Sequence, residues 1–263
     1  MFFQLIKDKV TQIYSCRSSL WNMSAKQLKA RYAGSTLGIY WAVINPLLMM
    51  LAITFVFSVI FKTEISDFGL FVLAGIMAWM FFSGALSEAT ASYLTQKSVL
   101  HQFRLPKEIL PLSCVSSYFM NFLISWGIIY PIFLLYNPRI FFTLPLLLFV
   151  ILLTYLFTCG LGLLFGLVNI FFRDLEHLIG LIMMFWFWVT PVFYSIEMVP
   201  KMFRWIFNFN PMTAFILCYR DLLFTGKIPD AAVFLQVIIW TVLSLLTGLL
   251  VSVKFEASSL KRI

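Results

Sequence analysis

Long uncharged apolar runs separated by short polar stretches dominate the chain. Runs at residues 37–61, 68–87, 109–136, 140–172 and 231–253 reach the length of about twenty residues that a helix needs to cross a bilayer. A sixth run, 178–196, is just long enough. The next apolar segment, 202–219, is interrupted by Arg204, Asn208, Asn210 and Pro211, and a lipid-exposed span with that content is costly. Ahead of the first run, Trp21, Ala25, Leu28 and Tyr32 form a narrow apolar stripe at helical spacing, flanked by Lys26 and Lys29. That pattern predicts a helix over 20–32 lying on the membrane surface, or one packed on a partner.

Composition agrees with the pattern. The chain is 62% hydrophobic and 11% charged, with a mean hydropathy of +0.95, outside the range of soluble domains. No linker-like stretch divides it, so residues 1–263 read as one all-α integral membrane domain. Nothing resembles a cleaved signal peptide, because Lys7, Lys9, Arg17, Lys26, Lys29 and Arg31 precede the first apolar run. Basic flanks mark the cytoplasmic side. With six transmembrane helices that side also holds Lys97, Arg104, Lys107, Arg173, Lys254, Lys261 and Arg262, against Lys62, Arg139, Lys201, Arg204, Arg220 and Lys227 outside. A seventh span would place the tail "KRI" outside. Segment 200–218 is therefore expected to dip into the outer leaflet and return, with both termini cytoplasmic. The net charge of +8 then follows from topology and anionic lipid, and nucleic acid is not needed to explain it.

Chemistry-bearing residues are sparse. Four cysteines form no disulfide framework, and the two histidines, His101 and His177, have no metal-ligand spacing; neither a catalytic site nor a metal site is expected. No G-x-x-x-x-G-K-[ST] phosphate loop is present. Asn45, before Pro46 in the first span, must find a wet cavity or bond a carbonyl freed by the proline. In the loop after the second span, Val99, Leu100 and Phe103 cluster on one side of a two-turn helix ended by Pro106, a docking element or a plain solvated loop. The stretch "FWFWVTPVFYSI" at 185–196 sets six aromatic rings around a Thr-Pro. On a helix Trp186 shares a face with Thr190 and, if the helix continued, Tyr194, whereas Trp188 lies beside Met184 and Pro191.

Four stretches in this order, "RYAGSTLGIYWAVINPLL", "FFRDLEHL", "TPVFYSIEMVP" and "NFNPMTAFILCYRDLLFTG", resemble the transmembrane subunit of bacterial polysaccharide ABC exporters. These are the Wzm-like O-antigen permeases, related to KpsM-like capsule and teichoic acid permeases in the type 2 ABC exporter superfamily. The resemblance implies a homodimer in the inner membrane, served by two copies of a separate cytoplasmic ATPase that binds ATP and Mg. It implies that lipid-linked polysaccharide passes through, O-antigen foremost and capsule or teichoic acid as alternatives. By the same token 20–32 is the interfacial helix carrying Trp21, Leu28 and Tyr32, and 200–218 a re-entrant helix pair. Val99, Leu100, Phe103 and Arg104 fall on the helix that couples to the ATPase. Trp41 and Asn45 are expected at the cytoplasmic entrance of the sugar path. Trp186, Thr190 and Tyr194 are expected along it, since flat rings cover the C–H faces of sugars; an interfacial aromatic belt is the competing account. A proton-coupled carrier would need acids deep in its spans, and Glu88 is the one candidate. A membrane-embedded transferase would need a carboxylate or histidine centre, and only scattered acids are present.

Overall fold

The computed structural model describes residues 2–96 and 105–254, the first five by their backbone alone. Among the described residues all regular structure is helical. Two helices, α1 (Phe2–Ser15) and α2 (Arg17–Tyr32), precede the bundle. A single 3-10 turn at Gly38–Tyr40 leads into α3 (Trp41–Thr54), which ends in a π turn at Phe55–Ile60. Next come α4 (Phe68–Thr95), α5 (Ile109–Tyr136), α6 (Ile140–Phe171) and α7 (Leu175–Val189). Then follow α8 (Arg204–Phe209), α9 (Pro211–Arg220) and α10 (Ala231–Lys254).

Five of these helices are long and apolar enough to cross a membrane: Gly38–Ile60, α4, α5, α6 and α10. They match the first four runs and the last, although α4 continues past Ser87 to Thr95. The sixth run differs. It forms a helix of 15 residues, about 22 Å long against the ~30 Å of hydrocarbon. Pro191 is the cause, because a proline disfavours helical backbone in the residue before it; Thr190 is extended at φ −99°, ψ 133°. The α1 helix has no counterpart in the sequence reading.

Lipid gives no hydrophobic reward for helix association, so packing depends on close approach and internal polar contacts. At the crossing of α6 and α10, Gly160 and Gly248 let the backbones touch. A Cβ on Gly160 would stand 2.4 Å from the carbonyl of Ser244, and one on Gly248 would stand 2.3 Å from the oxygen of Gly160. Gly162 and Gly166 face α4 within the same chain, against Ala89 and Tyr93. Hydroxyls satisfy themselves on the preceding turn, as in Thr154 to Val150, Thr158 to Thr154 and Thr241 to Val237. Helix α4 is the hub: 72% of its apolar window is buried, against 6% for the first span.

Helix α9 packs beside the N-terminal half of this hub. Arg220 lies over the Phe71 ring, and Ile216 and the Val192 carbonyl close on Gly75. Gly75 is seven residues into α4, about 10 Å of rise from its N-terminal end. The turn after α7 therefore sits about two turns into α4, and α9 continues into a π turn (Asp221–Thr225).

Candidate functional site

A cavity of about 200 Å³ opens between α2, α3, α4 and α5, beside the start of α3. Trp41, Asn45 and Pro46 come from α3, Arg31 and Tyr32 from α2, Met80 and Phe81 from α4, and Tyr118, Asn121 and Ser125 from α5. The structure thus brings together Trp41 and Asn45, expected at the entrance, with Tyr32, expected only as part of the surface helix. Asn45 does not bond a carbonyl freed by Pro46; among the described residues its amide makes no hydrogen bond and it opens on the cavity. The Trp41 indole donates to Ser35 Oγ at 3.1 Å, fixing the ring at the start of the span.

The walls are held by a polar network that joins α2 to the bundle. Arg31 donates to Glu88 at 2.9 Å and stacks on Tyr118 at 3.7 Å from the ring centre. Gln27 donates to Ser113 and to Gln96. Tyr32 donates to Asn121. Burial raises the Tyr32 phenol above its usual pKa, opposed by the Arg31 charge and the Asn121 bond, so the hydroxyl stays a donor. On the α3 side, Ser125 reaches the Ala42 carbonyl at 2.6 Å. The lining is aromatic rings, amides, hydroxyls and the methionines Met77 and Met80, and its one guanidinium is paired with Glu88 through one terminal nitrogen. Such a surface suits a neutral, hydroxyl-rich ligand better than an ion.

Sequence reasoning missed Gln27, Glu88 as the partner of Arg31, Tyr118 and Asn121, because those pairings span 57 to 89 residues. It gave α2 its apolar stripe, yet the face turned to the bundle is Ser24, Gln27 and Arg31. Trp21 is exposed and Leu28 half-buried, free to meet lipid. The loop residues Val99, Leu100, Phe103 and Arg104 lie outside the described residues.

At the C-terminal end of α7, Trp186, Thr190 and Tyr194 are near one another but locked into protein. The Trp186 indole donates to Asn210 Oδ1 at 2.7 Å, and its ring packs edge-on against Trp79 and Phe82. Thr190 is buried; Asn210 Nδ2 donates to its hydroxyl at 3.0 Å. Tyr194 donates to the Trp188 carbonyl. Trp188 is 57% exposed on the outside of α7 with Met184 and Phe185, the side facing lipid or another subunit. Trp188→Ala is thus expected to leave the melting temperature of the isolated chain near wild type. Trp186→Phe, which keeps most of the ring but removes one of the two donors to Asn210 Oδ1, should cost about 1 kcal/mol; thermal unfolding in detergent checks both.

Comparison with known proteins gives the family. A family model described as ABC-2 type transporter matches residues 18–224. An O-antigen export system permease protein RfbA from Klebsiella pneumoniae is 31% identical over 207 residues, covering 77% of this chain and 79% of that protein. One of the same name from Myxococcus xanthus is 29% identical, covering 84% and 86%. A polysialic acid transport protein KpsM from Escherichia coli is 21% identical, covering 85% and 88%.

Proposed function

Because the chain belongs to the ABC-2 type transporter family, we propose that it is the channel-forming subunit of an ATP-driven exporter of lipid-linked polysaccharide, O-antigen foremost. The observation that carries this reading is the 31% identity, over 77% of this chain, to a permease named for O-antigen export. The chemistry of the cavity supports it. A glycan is wet and weakly charged, so its conduit cannot use ionic clamps; rings and amides bind each sugar weakly and let it pass, as multi-site pores do. Trp41, Asn45, Tyr32 and Asn121 offer that kind of surface at the cytoplasmic entrance.

The subunit does no chemistry of its own in this account. A separate cytoplasmic ATPase, in two copies, binds ATP and Mg and bears on the loop carrying Val99, Leu100, Phe103 and Arg104. Two copies of this chain form the channel in the cytoplasmic membrane. The first span is almost unburied in one copy, and Leu181, Met184, Phe185 and Trp188 of α7 present a continuous exposed apolar face. Six crossings, with α7 the short one, leave both termini cytoplasmic. Helices α8 and α9 enter and leave from the outer side as the re-entrant pair, consistent with the packing of α9 on the outer half of α4. The likeness to KpsM favours a second polymer, capsule, by the same mechanism.

The partner half of this proposal is testable by co-purification. Leu100→Asp or Phe103→Asp is expected to abolish capture of the ATPase, or its stimulation, while the permease still elutes as a folded species. An unchanged complex with unchanged stimulation would remove the loop from the interface.

A further inference from the structure

Arg220 ends α9 as a guanidinium that is 5% exposed, and among the described residues no carboxylate lies within ion-pair distance of it. The charge of Asp221, next in the chain, favours the guanidinium without forming an ion pair, and a buried cation without an ion pair is expensive, so its position needs a reason. Its partners are backbone. One terminal nitrogen donates to the Val192 carbonyl at 2.8 Å and the other to the Tyr194 carbonyl at 3.2 Å. The flat group lies on the Phe71 ring of α4, 3.6 Å from its centre, and Nε has no partner.

Those two carbonyls lie in the irregular turn that follows Pro191, where no helix or sheet can satisfy them. Among the described residues Arg220 is their donor. Arg204 treats the next part of the connector alike, donating to Glu197 and Val199 carbonyls at 2.9 Å. At the other end of α9, Asn210 grips Thr190 and Trp186. Helix α9 thus holds the aromatic turn at two points, and Arg220 presses it against α4 at the level of Gly75.

Moving the turn away would strand two carbonyls and a guanidinium together, which no dry state allows. A hydrated path changes this, because water and sugar hydroxyls can replace the lost partners. We propose that Arg220 is the latch of the outer gate: it holds the turn at residues 190–194 shut against α4 until a hydroxyl-rich chain reaches it and supplies other acceptors. Arg220 is here a positioning residue that acts through the turn, and the idea rests on the exporter reading above.

The test uses the full complex with its ATPase, reconstituted in liposomes loaded with a small fluorescent dye. Arg220→Lys keeps the charge over Phe71 but loses the two-pronged donor geometry. It is expected to raise idle dye leak about tenfold while the complex stays assembled, with a melting temperature between those of Arg220→Ala and wild type. Arg220→Ala should leak at least as much. Assembled variants that remain as tight as wild type would overturn the latch. Loss of assembly in both variants would also overturn it, making Arg220 an anchor of the fold. A wild-type complex that stays sealed yet moves no polymer would instead refute the exporter reading and leave the leak comparison standing.

Discussion

Gly160→Ala is expected to prevent stable folding of the permease, because Gly160 and Gly248 meet backbone to backbone where α6 crosses α10. The new Cβ would lie 2.4 Å from both the carbonyl carbon and oxygen of Ser244. These are backbone atoms of α10, so no side-chain rotation relieves the clash; α6 and α10 must separate. Overpacking of that kind costs about 3 kcal/mol or more. Separation would also strip the Gly248 contact and the bond from Thr241 to the Leu153 carbonyl. Gly127→Ala is the matched control, since a Cβ there meets nothing within 4 Å. Monodisperse yield in detergent reads both, and a Gly160→Ala chain as well behaved as the control would show that the helices do not meet this closely.

Asn210→Leu is expected to have the second largest effect. The Asn210 side chain accepts from the Trp186 indole and the Met212 amide, and donates to Thr190 and more distantly to the Val189 carbonyl. Leucine is close in volume but makes none of these bonds. It leaves the indole N–H and the α9 N-terminus without acceptors in a buried site, a loss of about 3–5 kcal/mol if two such groups are stranded. Asn210→Asp keeps both acceptor bonds and loses the donor, so its melting temperature should fall between leucine and wild type. If the leucine variant melts like wild type, α9 does not hold the turn after α7.

The two positions differ in how far the sequence announced them. Membrane crossings are legible because lipid forces every backbone group to be satisfied within its own segment, so run length alone located α3 to α6 and α10. The stop at Thr190 was written in Pro191, but the short reach of α7 was not, since the apolar run continues through Val192 and Phe193. Close approach at Gly160 depends on which helix lies opposite, which no spacing within α6 discloses. Asn210 read only as an interruption. Arg220 was counted with the outer loop charges, because the counting of basic residues treats every cation as solvated; burial over Phe71 and against two carbonyls is a tertiary fact. The cavity was half legible: Trp41 and Asn45 are helical neighbours, whereas Arg31 with Glu88 and Tyr32 with Asn121 meet only when α2 docks.

The central claim is that this chain, with its ATPase, moves a lipid-linked polysaccharide across the membrane. Its most direct measurement is transport in inside-out proteoliposomes holding the complex and the purified lipid-linked polymer, read as protection of the polymer from an impermeant glycosidase added outside. ATP-dependent protection that needs both this chain and the ATPase, and that falls with Trp41→Ala, is the predicted result. Protection that never exceeds ATPase-only vesicles, or that follows a proton gradient without ATP, would contradict it.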